Sequence, residues 1–85
     1  MTVTLDILNG VKNALGIQGT YQDDALQEYI SEVGDFLIDA GVTQGNITVG
    51  ILARGVTDLW SYGSGDGTLS SYFLQRATQL ALKSR

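Results

Sequence analysis

The sequence predicts an all-α fold, a small bundle of about four helices with short connections, in which residues 1–85 form a single helical domain. Three observations support this prediction. Apolar residues recur at helical spacing in four stretches, the chain has no proline, and 44% of its residues are hydrophobic while 16% are charged. Those proportions are typical of a globular domain and not of a disordered chain.

The first helix is predicted to span Leu5–Leu15. Thr4 is a plausible N-cap and Gly16 is a natural stop, because a glycine readily adopts the left-handed conformation that ends a helix. Gly10 in the middle costs about 1 kcal/mol relative to alanine. The apolar face is expected to consist of Leu5, Leu8, Val11 and Leu15.

The second helix is predicted over Asp23–Ala40, with acidic residues near its positive N-terminal end and Gly41 just after it. Its glycine, Gly34, adjoins the apolar face and either lets another helix approach closely or is exposed and neutral. The apolar face steps by four, three and four residues through Leu26, Ile30, Val33 and Leu37, with Tyr29 and Ala40 beside it.

The third helix is predicted over Ile47–Tyr62, after the polar connection Thr43–Asn46, with Asn46 as its N-cap. Gly63 is expected to end it. A strand over Val42–Val49 is a weaker alternative, since glycine, threonine and valine dilute the helical signal there. The apolar face of the predicted helix contains Val49, Leu52, Val56 and Leu59, with Trp60 alongside.

The last helix is predicted over Ser70–Lys83, after a glycine-rich turn at Gly63–Gly67, with Ser70 or Thr68 as its cap. Basic residues lie at its C-terminal end, where they favour the helix dipole. Its inward-facing residues are expected to be Phe73, Ala77 and Leu80.

The composition argues against catalysis and against bound metals or cofactors. The chain has no cysteine and no histidine, which excludes disulfides, thiolate ligands, histidine ligands and a Ser-His-Asp triad. The glycine turn lacks the lysine of a phosphate-binding loop, and Asp66 would repel a phosphate. Asp66 is also the only carboxylate there, too few for calcium. No apolar run reaches the roughly 20 residues of a membrane span. The N-terminus does not resemble a secretion signal.

Charge is unevenly distributed along the chain. Residues 1–42 contain seven acids and one lysine, a net charge of −6, whereas residues 43–85 contain two acids and four bases, a net charge of +2. These halves are either solvated helix faces or surfaces that meet between neighbouring subunits. Similarly, Arg54 and Arg76 either pair with a carboxylate inside the fold, Asp58 being an obvious partner for Arg54, or reach a neighbouring subunit.

Aromatic residues are concentrated between residues 60 and 73. Trp60 and Phe73 are expected to lie in the core. Tyr62 and Tyr72 flank the glycine turn and are better candidates for an interface, where tyrosine and arginine are enriched.

Residues 53–80 carry a family resemblance. An arginine-containing helix with an aromatic end leads through the glycine turn into a second aromatic helix. This segment resembles the C-terminal half of the head–tail connector proteins of tailed phages or prophages, also called DNA-packaging adaptor proteins. The N-terminal half is similar only in its helical arrangement. The matching residues are Ala53–Val56, Asp58–Trp60, Tyr62–Gly63, Leu69–Ser70, Tyr72–Phe73, Gln75–Arg76 and Gln79–Leu80.

The resemblance implies a viral structural protein with no enzymatic role. Such a protein would be one subunit of a closed ring of about twelve copies, assembled in the bacterial host cytoplasm and located in the virion neck. The ring would dock on the portal protein, extend the DNA channel and present a surface to the next neck or tail-completion protein. DNA would pass through without specific binding, and no membrane is involved. The candidate subunit or portal interface residues are Arg54, Tyr62, Asp66, Tyr72 and Arg76.

Two other functions remain open from the sequence. One is a small helical nucleic-acid-binding packaging factor, and the other is a helical partner-binding or regulatory domain. The acidic balance and the lack of a basic helix argue against nucleic-acid binding. An acidic subunit suits a DNA channel, because strong contacts with phosphates would slow the passage of DNA.

Overall fold

The computed structural model of the chain describes residues 1–59 and 69–85. Within them lie four α-helices, α1 (Leu5–Leu15), α2 (Asp23–Asp39), α3 (Val49–Leu59) and α4 (Ser71–Lys83), and one short 3₁₀ turn, Gln44–Asn46. The predicted all-α fold is confirmed, and no strand occurs in the described residues, including the stretch 42–49. None of the described helices is both long enough and apolar enough to cross a membrane.

Helix α1 has the predicted bounds and the predicted caps. The Thr4 hydroxyl accepts a hydrogen bond from the backbone N–H of Ile7 at 3.2 Å, and Gly16 adopts the left-handed conformation with φ of 72°. Leu5 was expected on the buried face, but it is 70% exposed. It lies six residues before the fully buried Val11, and at about 100° per residue this places it roughly 120° around the helix.

Helix α2 buries its predicted apolar stripe completely and ends at Asp39, one residue earlier than expected, with Ala40 exposed beyond it. Gly34 is buried, and neither of its two predicted roles is correct. It is covered by the side chain of Met1, not by another helix. The Met1 amino group pairs with Asp35, and its carbonyl accepts a hydrogen bond from the Ser31 hydroxyl.

Helix α3 begins at Val49, two residues later than predicted, and Asn46 is not its N-cap. Asn46 lies in the 3₁₀ turn, where its side-chain amide donates a hydrogen bond to Ser84 Oγ at 2.9 Å. Thr48 performs the capping instead, because its hydroxyl accepts from the N–H of Ile51. The predicted positions 60–62, with the expected core residue Trp60, lie outside the described residues, as does the glycine turn.

Helix α4 begins at Ser71, with Ser70 as the N-cap whose hydroxyl accepts from the N–H of Phe73 at 3.2 Å. The three residues predicted to face inward are buried. Ser84 joins the end of α4 to the turn before α3. Its hydroxyl accepts hydrogen bonds from the Thr43 N–H and the Asn46 amide, and donates one to the Leu80 carbonyl.

The core forms where α3 packs against both α1 and α2, with α4 lying over α3. Close approach depends on glycine at two points. A Cβ atom on Gly10 would lie 3.0 Å from Val49 Cγ2, and one on Gly55 would lie 2.6 Å from Val33 Cγ1 and 2.8 Å from Phe73 Cε2. Val49, expected on the buried face of α3, is 36% exposed and packs over Gly10. The largest fully buried side chains include Phe73, Leu26, Ile30, Leu37, Leu52, Val11, Val33 and Val56.

Candidate subunit interface

An open groove between α3 and α4 brings together three of the five predicted interface residues. Its volume is about 600 Å³. We call it the arginine groove, and its lining residues are Thr48, Gly50, Ile51, Arg54, Tyr72 and Arg76. The other two predicted interface residues, Tyr62 and Asp66, lie outside the described residues.

Arg54 makes two contacts within the chain. Its guanidinium lies over the ring of Tyr72, with Cζ 5.3 Å from the ring centroid. Its Nε lies 3.8 Å from Oδ1 of Asp58, one helical turn later, which confirms the predicted internal pair. The Arg54 side chain is nevertheless 48% exposed. Because the cation is only partly engaged, it remains accessible to an anionic group that enters the groove.

Asp58 also holds the start of α4. Its Oδ2 accepts hydrogen bonds from the backbone N–H of Ser70 at 3.0 Å and from the Ser70 hydroxyl at 2.7 Å. The same hydroxyl caps α4. This network fixes the first turn of α4, which carries Tyr72, relative to the turn of α3 that carries Arg54. The bond between Asp58 and Ser70 was not predicted from the sequence, which indicated only that Ser70 could cap the last helix and that Asp58 could pair with Arg54.

Arg76 lies one turn after Tyr72 on α4 and has a neutral partner. Its Nη1 donates to Oε1 of Gln79 at 3.0 Å. Within residues 1–59 and 69–85, Arg76 forms no ion pair. The predicted internal carboxylate partner is therefore found for Arg54 but not for Arg76 in this part of the chain.

The outward face of α2 is acidic along its whole length. Five exposed carboxylates follow one another at steps of four, four, three and four residues, and we call them the acidic stripe: Asp24, Glu28, Glu32, Asp35 and Asp39. Only Asp35 has an ion-pair partner among the described residues, the amino group of Met1. A solvated helix face was one of the two interpretations that the sequence left open for the acidic half of the chain, and all five carboxylates are exposed.

A second groove, between α2 and α4, is mostly apolar and has a volume of about 310 Å³. Leu74 and Leu82, which line this groove, are exposed apolar side chains. Large contiguous patches of exposed apolar surface often mark sites where another protein binds. Its lining residues are Phe36, Ala40, Leu74, Ala77, Thr78, Ala81, Leu82 and Arg85.

No group of three or more acidic side chains in the described residues is arranged to hold a metal ion. Comparison of the chain with models of protein families, with curated proteins and with solved structures finds no match. The connector hypothesis consequently depends on the motif residues between 53 and 80 and on the surfaces described above.

Proposed function

We propose that this protein is a structural subunit of a phage head–tail connector ring, which docks on a portal protein and extends the DNA channel. The observation that carries the proposal is the arginine groove. Arg54, Tyr72 and Arg76 belong to the segment that resembles the connectors, and they line one exposed groove although Tyr72 comes 18 positions after Arg54 in the sequence.

The surfaces of the chain suit a ring subunit. In a cyclic ring each subunit needs two different surfaces that complement each other, because the contacts are head-to-tail. The cationic arginine groove lies between α3 and α4, whereas the acidic stripe lies on the outward face of α2. The chain thus carries two surfaces of opposite charge on different helices, and the apolar groove offers a third surface for a different protein.

The charge of the surface also suits a channel for DNA. The chain has a net charge of −4, so a ring of these subunits repels the phosphates of DNA and would not retain it. We expect the assembled ring to bind duplex DNA at low salt no more tightly than an unrelated acidic protein does.

Binding to the portal tests the proposal. The chain is mixed with the portal protein of the same phage or prophage and sedimented through a density gradient, with the chain alone as the control. Migration of the chain with the portal supports the proposal, and its absence from the portal fractions across a range of salt concentrations contradicts it.

The paired arginines favour one other function, the binding of nucleic acid. Arg54 and Arg76 could contact phosphates, and Tyr72 could stack on a base. Two arginines beside Asp58 make a small basic site, however, and the acidic stripe opposes it on the same chain. A gel-shift titration with single-stranded and duplex DNA at low salt distinguishes the two functions, because only the nucleic-acid alternative predicts a salt-sensitive complex.

A further inference from the structure

We infer that the arginine groove of one copy of this chain binds the acidic stripe on α2 of the next copy. This contact would join neighbouring subunits of the ring proposed above, and only in that respect does it rest on the proposed function. The contact itself requires no other protein.

The groove supplies the cations of this contact. Arg54 is half exposed and only loosely paired, and Arg76 has an amide partner alone among the described residues. Each guanidinium has five N–H donors in a planar arrangement that suits a carboxylate. The ring of Tyr72, 60% exposed, adds the kind of aromatic surface that is enriched at protein interfaces.

The stripe supplies the anions. Like charges four residues apart on a helix destabilise it, and the pairs Asp24 with Glu28, Glu28 with Glu32, and Asp35 with Asp39 all have this spacing. Four of the five carboxylates have no cationic partner in the described part of the chain. Ion pairs with the two arginines of a neighbour would reduce this repulsion.

A second copy is the occupant that the charges favour over DNA or a basic protein. DNA complements the groove but is repelled by the stripe, and a basic protein complements the stripe but is repelled by the groove. A second copy complements both surfaces at once. Because the surfaces differ, the contact is head-to-tail and leaves one free groove and one free stripe on every pair. Such contacts close into a ring when the rotation between neighbours brings the last free groove onto the first free stripe.

Charge-altered variants test the inference. The groove variant is Arg54→Gln with Arg76→Glu, where glutamine avoids placing a new negative charge beside Asp58. The stripe variant is Glu28→Lys with Glu32→Lys. The matched control, Lys83→Glu with Arg85→Gln, makes the same charge change as the groove variant at the end of α4. Far-UV circular dichroism checks that each variant retains the helical fold.

Self-association is measured at low salt and high protein concentration by sedimentation equilibrium and by amide NMR shifts. We expect the groove and stripe variants each to weaken the association of the wild-type chain by roughly tenfold or more, and the control to leave it nearly unchanged. An equimolar mixture of the two variants should associate again, because every contact between unlike variants pairs opposite charges.

Three results would overturn the inference: no self-association of the wild-type chain, a control that weakens association as much as the groove variant, or a mixture that fails to associate. These outcomes are separate from a failure of the proposed function. A chain that associates through these surfaces but does not bind the portal contradicts the connector function alone, whereas a chain that binds the portal without this contact contradicts the inference alone.

Discussion

Replacing Gly55 with alanine tests the close packing of α3 against α2 and α4. The added Cβ would lie 2.6 Å from Val33 Cγ1 and 2.8 Å from Phe73 Cε2, distances that real Cβ contacts essentially never show. Neither neighbour can easily move, because Val33 is a β-branched residue within a helix and both side chains are fully buried. Overpacking of this kind costs about 1–3 kcal/mol, and the better helix propensity of alanine returns up to about 1 kcal/mol.

Because both neighbours are fully buried, the overpacking cost should lie in the upper part of its range, about 2–3 kcal/mol. The net destabilisation of Gly55→Ala should then be about 1–2 kcal/mol, which lowers Tm by roughly 5–15 °C in a domain of this size. Thermal unfolding followed by circular dichroism measures it. The control is Gly50→Ala on the same helix, where the nearest atom to the added Cβ is Thr48 Oγ1 at 3.8 Å. This variant should be as stable as the wild type or more so. A Gly55→Ala protein with an unchanged or raised Tm would refute the packing of α3 against α2 and α4.

Three further substitutions test the elements that position the groove. Ser70→Ala removes the cap of α4 and one of the two hydrogen bonds that Ser70 donates to Asp58, so urea unfolding should show a loss of about 1–2 kcal/mol, against little change for Ser71→Ala. Equal losses would contradict the capping role. Phe73→Ala should lower the free energy of unfolding by about 3–5 kcal/mol and leave the chain largely unfolded in thermal melts, while Leu74→Ala should lower it by under about 1 kcal/mol. A folded Phe73→Ala protein with the Tm of the wild type would contradict the described core. Ser84→Ala removes the hydrogen bonds between the end of α4 and the turn before α3, and should increase amide hydrogen exchange in residues 43–46. Unchanged exchange would contradict that tether.

The helices could be predicted from the sequence because local signals determine them. Thr4 and Gly16 mark both ends of α1, and the stripe of α2 repeats without interruption. The predicted start of α3 was wrong because a distant residue determines which side chain caps the helix. Asn46 donates a hydrogen bond to Ser84, 38 positions later, and Thr48 caps the helix instead. The spacing of apolar residues along the chain does not indicate contacts between distant residues of this kind.

The site could be predicted only in part. The four-residue spacing of Arg54 and Asp58 was sufficient to predict their ion pair. Tyr72, which was expected at an interface and not in the core, is exposed. That Arg76 would line the same groove as Arg54 depends on how α4 lies over α3, which the sequence does not specify. The role of Gly55 was missed for the same reason, since its close neighbours come from α2 and α4.

We propose that this chain forms a ring on a portal, and electron microscopy is the most direct test. The chain would be imaged alone and mixed with the portal protein of the same phage or prophage. We expect closed rings or added density at the portal outlet, with the groove between α3 and α4 of each subunit against α2 of its neighbour. Portal particles without added density, together with no rings of the chain alone, would contradict the account.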